Sequence, residues 1–398
     1  MDEHKAVARG AIVKDALWQR ALQKALAQIG DISADVAMLF ASGAYARHFP
    51  EMVRQVRSET GTSVLIGCSG QGIIGPAQEL EDVPALALLT LSLPGAILRP
   101  VRFTQEMLED CTSPDAWQEQ LAISPQEVNA WLIFADPFQM DCERLIDGLA
   151  EAYTGRPMLG GLASAGPTER RTFVFLNDDV FDEGGVGLTI GGPYSILPLV
   201  SQGCEPIGEP WTITGVQGRL IETISNRPAY DLLIETLQSL PPTLQRRAQR
   251  NLLVGLAADE YRDSFLRGSF LIRPLLGIEP ESRGLVIGAL PRVGQTIQFQ
   301  LRDATAADRD LRELLDQART NLGDASPIAA VLCSCNGRGV GLFGTPDHDA
   351  GVVAQKLGPL PLAGLFCNGE IGPIGKRPFL HGFTASLALL IRHEESIS

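Results

Sequence analysis

The chain has 398 residues, 45% of them hydrophobic and 20% charged. That is room for two or three domains at about 150 residues each, with cores that need no staples. Lys+Arg 33 against Asp+Glu 47 leaves a formal charge of −14. This balance argues against a nucleic-acid partner or an anionic membrane surface, both of which demand a positive face. It excludes no small ligand, because the sign of a pocket is local.

Lysine occurs only at 5, 14, 24, 356 and 376, which reads as coding bias. The seven cysteines (Cys68, Cys111, Cys142, Cys204, Cys333, Cys335 and Cys367) are odd in number and scattered, unlike a disulfide framework. Residues 1–10 lack the apolar stretch of a secretory signal, and no run approaches about 18 apolar residues. The expectation is a cytoplasmic protein with free thiols and no membrane partner.

In chain order, Trp18, Leu22, Leu26 and Ile29 have helical spacing, and Gly30 ends that run. Val36 to Ser42 is a buried strand, and a helix follows with Phe49, Met52, Val53 and Val56 on one face. Ser63 to Gly67 is a second buried strand that runs into Cys68-Ser-Gly-Gln-Gly-Ile-Ile-Gly75, and Ala85 to Leu93 is a third. The pattern recurs from Ala130, in degenerate form from Leu252, and again from Ala329, where Leu362–Phe366 leads into Cys367-Asn-Gly-Glu370. Cys68-Ser-Gly-Gln71 then falls opposite Cys367-Asn-Gly-Glu370.

This predicts an α/β fold of mixed sheets with packed helices. It has two halves, each an internally duplicated strand–helix–strand–turn–strand unit. The boundaries read as an N-terminal helix over 1–30, a first half over 31–205 and a second over 206–398.

Three stretches carry a family resemblance: Val64–Gly75, Val293–Asp310, and Pro361-Leu-Ala-Gly-Leu-Phe-Cys-Asn-Gly-Glu-Ile-Gly372 followed by Phe379–Ser386. Together they resemble the FIST proteins, N-terminal domain first and C-terminal domain second, from about Val36 to Ile391. The resemblance implies a sensory module of bacterial signal transduction that binds small ligands, amino acids among them, and passes the signal to a protein partner. Other members carry an F-box or signalling domains. About 35 residues precede the first strand here, so the chain resembles a stand-alone member.

Gly70-Gln-Gly-Ile-Ile-Gly75 matches the dinucleotide fingerprint, but Pro76 follows at once and no acidic residue sits at the expected ribose position. We expect no cofactor. The turn instead offers backbone amides around Ser69, Gln71 and Asn368 that could nest a carboxylate. Cys68, Cys335 and Cys367 sit at strand ends and read either as buried apolar thiols or as a converging set. C-x-C at Cys333 with few histidines gives no metal site. Cys367 with His381 as base, or Cys335, is the enzyme alternative; a ligand-free interaction adaptor is another. No nucleophile elbow is present, since neither Ser69 nor Ser164 has both flanking glycines.

Glu370 lies in an apolar segment, so it is either a solvated turn residue or a partly buried anion, the latter paired with an arginine (Arg273, Arg338 or Arg377) or turned toward a ligand ammonium. Asp136 ends a strand where the first copy has Ser42, and reads either as an Asx turn or as a ligand contact. Arg273, in a segment matching the family, needs an anion or solvent. His381 is a turn cap or a ligand contact. With Asn336 these residues complete the expected ligand-binding set: Ser42, Cys68, Ser69, Gln71, Asp136, Arg273, Cys335, Asn336, Arg338, Asn368, Glu370 and His381.

Overall fold

The computed structural model describes residues 5–31, 33–166, 169–260, 265 and 268–392. It is α/β, with four mixed or antiparallel sheets and helices packed on them. The chain separates into two compact units. The first takes Met1–Val200, Leu311–Leu380 and Thr384–Ser398; the second takes Ser201–Asp310 with His381–Phe383.

The first unit contains three copies of one strand order. Each copy has an edge strand, a closing strand and two inner strands, side by side in that order: Val7–Lys14, Ala85–Ser92, Val36–Ser42 and Val64–Gly70 in the first; Ile97–Phe103, Gly185–Gly191, Ala130–Ala135 and Met158–Leu162 in the second; Tyr194–Gln202, Thr384–Arg392, Ala329–Cys335 and Leu362–Cys367 in the last. The two inner strands are parallel in every copy. A parallel pair needs a crossover, and helices Phe49–Thr60, Cys142–Ala152 and His348–Leu357 supply it.

After its second inner strand, each copy sends a short crossing strand into the sheet of another copy. Gly72–Gly75 pairs with Leu362–Cys367, Glu370–Ile374 with Met158–Leu162, and Val174–Leu176 with Val64–Gly70. The exchange is cyclic: first to last, last to second, second to first. Gly72–Gly75 is thus a strand, with its backbone turned to sheet neighbours and no helix beginning at the fingerprint glycines.

Burial follows strand alternation. Met38, Phe40, Leu132, Phe134, Val331 and Cys333 point into one core shared by the three sheets, where Phe40 meets Phe134 edge to face at 5.1 Å. Ala37, Leu39 and Ala41 point the other way, onto Trp18, Leu22, Met52 and Val56 of the covering helices. Both faces are covered, so these strands read as unbroken apolar runs.

The close parallel pairing has a steric requirement. A Cβ on Gly67, Gly160 or Gly364 would lie 1.8, 1.8 or 1.9 Å from the carbonyl oxygen of Leu39, Ile133 or Leu332. These glycines pair in register with the same three residues, which makes them equivalent. Counting from them, Cys68 corresponds to Gly161 and Leu365, while Gln71 corresponds to Ser164 and Asn368. The expected alignment of Cys68 with Cys367 is therefore two residues out of step.

The second unit carries the degenerate copy. Cys204–Gln217, Thr296–Arg302, Leu252–Ala257 and Phe270–Glu279 repeat the strand order, but the last two are antiparallel, so no crossover helix is required. Gly284–Ile287 and Leu220–Ile224 continue the sheet, and Leu220–Ile224 pairs back onto Cys204–Gln217, closing a barrel. Ile207, Ile213, Val254, Leu285 and Phe299 belong to its core.

Candidate functional site

Where the three crossing turns meet, the backbone forms a hydrogen-bonded ring. The carbonyls of Ser69, Leu162 and Phe366 occupy equivalent places, two residues beyond the equivalent glycines. Ser164 N–H donates to Ser69 O at 3.0 Å and Asn368 N–H to Leu162 O at 3.1 Å. The third link is bridged by a side chain: Ser164 Oγ accepts from Gln71 N–H at 2.7 Å and donates to Phe366 O at 2.5 Å. Ser69 Oγ reinforces the same junction, donating to Ser164 O at 2.9 Å and accepting from Phe173 N–H at 3.0 Å.

The amides expected to nest a carboxylate are consumed by this ring. Gln71 and Asn368 N–H are placed as above, and Ser69 N–H donates to Phe173 O. What remains at the rim is carboxamide. Asn368 is exposed; it donates through Nδ2 to Ala163 O at 3.2 Å and accepts from Asn336 Nδ2 at 2.8 Å. Among the described residues, Asn336 Oδ1 is enclosed without a hydrogen-bond partner. The half-buried Gln71 commits only its backbone among the described residues. Half-buried Cys335 adjoins the rim, its sulfur accepting from Gly337 N–H at 3.5 Å.

Beneath the rim lies a buried polar cluster. Glu370 is fully enclosed. Its Oε2 accepts from Thr384 N–H at 3.1 Å and Thr384 Oγ1 at 2.8 Å, and its Oε1 accepts from the Cys367 thiol at 3.4 Å. Burial pushes the Glu370 carboxyl up to about 7 despite these donors. Burial also raises the thiols of Cys68, Cys333 and Cys367, with nearby Cys333 and Glu370 adding to the effect. A Cβ on Gly161 would sit 3.0 Å from Cys367 Sγ and 3.2 Å from Cys333 Sγ, so that glycine makes room for both sulfurs. Among the described residues, no group of three or more His, Cys, Asp or Glu is placed to hold a metal ion.

The arginines weighed as partners of Glu370 do not hydrogen-bond to it. Arg338 is buried and grips Asp349 through two bonds, Nε to Oδ2 at 2.7 Å and Nη2 to Oδ1 at 2.8 Å. Arg377 holds Asp147 at 2.8 Å. Asp349 also accepts from Ser334 Oγ at 2.7 Å and lies 3.0 Å from His348 Nδ1. The Arg338 guanidinium and these bonds hold its carboxyl well below the usual range, although burial opposes them as the largest effect. Glu79, buried beside this pair, accepts from Ala350 N–H at 2.9 Å; burial and then the Asp349 charge push it up to about 8.

The other expected residues are placed locally. Ser42 caps its 3₁₀ turn by accepting from Ala44 N–H at 3.3 Å. Asp136 satisfies the Asx-turn reading: Oδ2 accepts from Phe138 and Gln139 N–H at 3.0 and 2.6 Å, and Oδ1 from Thr172 Oγ1 at 2.5 Å. Cys68 is buried in the shared core. Arg273 and His381 belong to the second unit. There the half-buried Arg273 donates to Ile272 O at 3.1 Å, and His381 is buried. Three open hollows, of 410, 470 and 560 Å³, lie away from the ring.

Ser164, Thr384, Asp349 and Glu79 were absent from the expected set. Alignment on the three glycines would have found Ser164 opposite Gln71 and Asn368. Glu79 meets Ala350 across 271 positions, and no local pattern announces that.

Comparison with known proteins agrees with the family resemblance. The FIST N domain matches residues 35–227 and the FIST C domain residues 229–373. The chain belongs to the FIST family. An uncharacterised protein of Mycobacterium tuberculosis is 36% identical over 356 residues, covering 89% of this chain and 91% of its own. One of Mycobacterium bovis is 35% identical, covering 89% and 90%. Among solved structures, a cyanuric acid hydrolase from A. caulinodans is matched over 98% of this chain and 100% of its own at 9% identity, with a TM-score of 0.37. No helix among the described residues is long and apolar enough to cross a membrane.

Proposed function

We propose that this chain is a cytoplasmic sensory module that binds a small polar ligand, an amino acid by class, at the carboxamide rim of the three-turn ring and signals to a protein partner. The observation that carries the reading is Asn336 Oδ1, an enclosed acceptor without a donor among the described residues, beside a ring whose linking backbone groups are satisfied. An acceptor left so costs about 1–3 kcal/mol, and a ligand ammonium or amide N–H would recover it. Asn368 and Gln71 add donors and acceptors around the same turns. Carboxamides without net charge suit a zwitterion better than a strongly charged ligand. Ligand held there would bind one arrangement of the turns more tightly than others, and that difference is the signal a partner reads.

The cysteine-enzyme reading has less support. Cys367 is fully enclosed and its proton is held tightly, burial being the main cause.

Calorimetric titration of the common amino acids into wild type and Asn336→Ala tests the proposal. One chemical class should bind at a single site in the wild type and weaken about tenfold in the variant, as loss of one hydrogen bond worth about 1.4 kcal/mol requires. Binding that Asn336→Ala leaves unchanged would move the site elsewhere. No binding by any amino acid would remove the ligand class.

A further inference from the structure

The three copies provide an internal control. They build the same backbone, yet at four equivalent buried places the last copy differs from the other two. Where it has Cys333, Cys367, Glu370 and Thr384, the first has Phe40, Gly70, Ile73 and Ala85, and the second has Phe134, Ala163, Val174 and Gly184. A buried carboxylate and two thiols are therefore not needed for the fold: apolar residues and glycine serve the same places twice over. Enclosing a carboxyl is costly without strong partners, so the substitution calls for a chemical reason.

The geometry supplies one. Cys335 and Cys367 are direct register partners on adjacent parallel strands. Alternation puts both on the inner face with Cys333 and Leu365. Neighbouring strands lie about 4.8 Å apart, within the Cα separation of about 4.4–6.8 Å that a disulfide spans. Cys335 is half-exposed beside the rim, while Cys367 is enclosed and has a carboxylate oxygen 3.4 Å from its sulfur. The Arg338 guanidinium is also within electrostatic reach of Cys335, a positive charge beside any anion formed there.

We propose that Cys335 and Cys367 are a peroxide-oxidisable pair, with Cys335 the attacked thiol, Cys367 the resolving thiol and Glu370 the acceptor of its proton. In the first step the Cys335 sulfur attacks one oxygen of hydrogen peroxide; the S–O bond forms, the O–O bond breaks, and water leaves once protonated. Cys335 is then a sulfenic acid. In the second step the Cys367 sulfur attacks the Cys335 sulfur as its proton passes to Glu370. The S–S bond forms, the S–O bond breaks, and hydroxide takes a proton to leave as water. Two thiols and one peroxide give one disulfide and two waters; a dithiol reductant reverses the change. The bond would pin the two inner strands at the base of Asn336 and Asn368. The proposal does not depend on any ligand occupying the rim.

The test uses the whole chain treated with hydrogen peroxide, then alkylated under denaturing conditions and mapped by mass spectrometry. Two of the seven cysteines should become protected, in a single peptide pair joining Cys335 to Cys367, and dithiothreitol should release both. Cys367→Ser should leave a sulfenic acid on Cys335 that a dimedone probe captures. Glu370→Gln should still accumulate that sulfenic acid while slowing disulfide formation roughly a hundredfold, the loss expected when a positioned base is removed. A pair joining Cys367 to Cys333 would overturn the assignment of Cys335. All seven thiols remaining free, or a disulfide rate unchanged in Glu370→Gln, would overturn the pair or the role of its carboxylate respectively.

Discussion

Glu370 in the last copy stands where Ile73 stands in the first. Each pairs, on its crossing strand, with the residue after the equivalent glycine: Glu370 opposite Gly161, Ile73 opposite Leu365. One backbone position thus holds an aliphatic side chain in one sheet and a buried carboxyl, braced by Thr384 and Cys367, in another.

The titration of that carboxyl has a definite sign. Glu370 is held up to about 7 and Glu79 up to about 8, against an ordinary value of 4.5. The folded chain keeps these protons where the unfolded chain has already released them. Their contribution to stability is therefore greatest below about pH 4.5 and declines as pH rises toward 7 to 8. Urea midpoints measured from pH 5 to pH 8 should fall less steeply for Glu370→Gln than for wild type. Parallel curves would mean that Glu370 titrates normally.

The bridging hydroxyl of Ser164 should matter more than an ordinary surface serine. Ser164→Ala leaves the Phe366 carbonyl and the Gln71 amide without their link, at a cost of about 2–3 kcal/mol. Ser42→Ala removes only a local cap and should cost about 1 kcal/mol. Chemical denaturation of the two variants side by side distinguishes them.

The equivalent glycines divide sharply from glycines that face open space. Gly160→Ala drives a methyl to 1.8 Å from the Ile133 carbonyl oxygen, whereas Gly351, on helix His348–Leu357, has nothing within 4 Å. Gly160→Ala should cost more than about 4 kcal/mol or yield insoluble protein. Gly351→Ala should be neutral or stabilising by up to about 1 kcal/mol. Soluble yield and thermal midpoint report both.

Arg338 and Asp349 form an enclosed pair, with side-chain exposures of 0% and 1%. Arg338→Met strands a buried carboxylate and should destabilise by about 3–5 kcal/mol. Adding Asp349→Leu should recover most of that loss. A double variant as unstable as the single one would show that the pair is not an isolated couple.

Much of the fold was legible because it rests on local chemistry. Val36–Ser42 is an apolar run of strand length, and Phe49, Met52, Val53 and Val56 are buried along one face of helix Phe49–Thr60. The degenerate copy at Leu252 could also be read, since its strand keeps both antiparallel partners. The cyclic exchange of crossing strands was not legible: Gly72–Gly75 meets its partner strand almost 300 residues away, and nothing in a glycine turn says which sheet it will join. That is why Cys68 was set against Cys367 rather than Leu365. Within the site, the composition around Glu370 left open a solvated turn residue or a buried anion, and the structure buries it. Composition could not show that Thr384 and Cys367, rather than an arginine, would receive the carboxyl.

The most direct measurement is a thermal-shift screen of the twenty common amino acids on wild type and on a Gln71→Ala, Asn336→Ala double variant that melts normally when unliganded. A ligand at a hundred times its dissociation constant adds about 2.7 kcal/mol to stability, which is readily seen as a raised melting temperature. The account predicts that one chemical class raises the wild-type midpoint and leaves that of the double variant unmoved. Equal shifts in both proteins, or no shift in either, would contradict a ligand site at the rim of the ring.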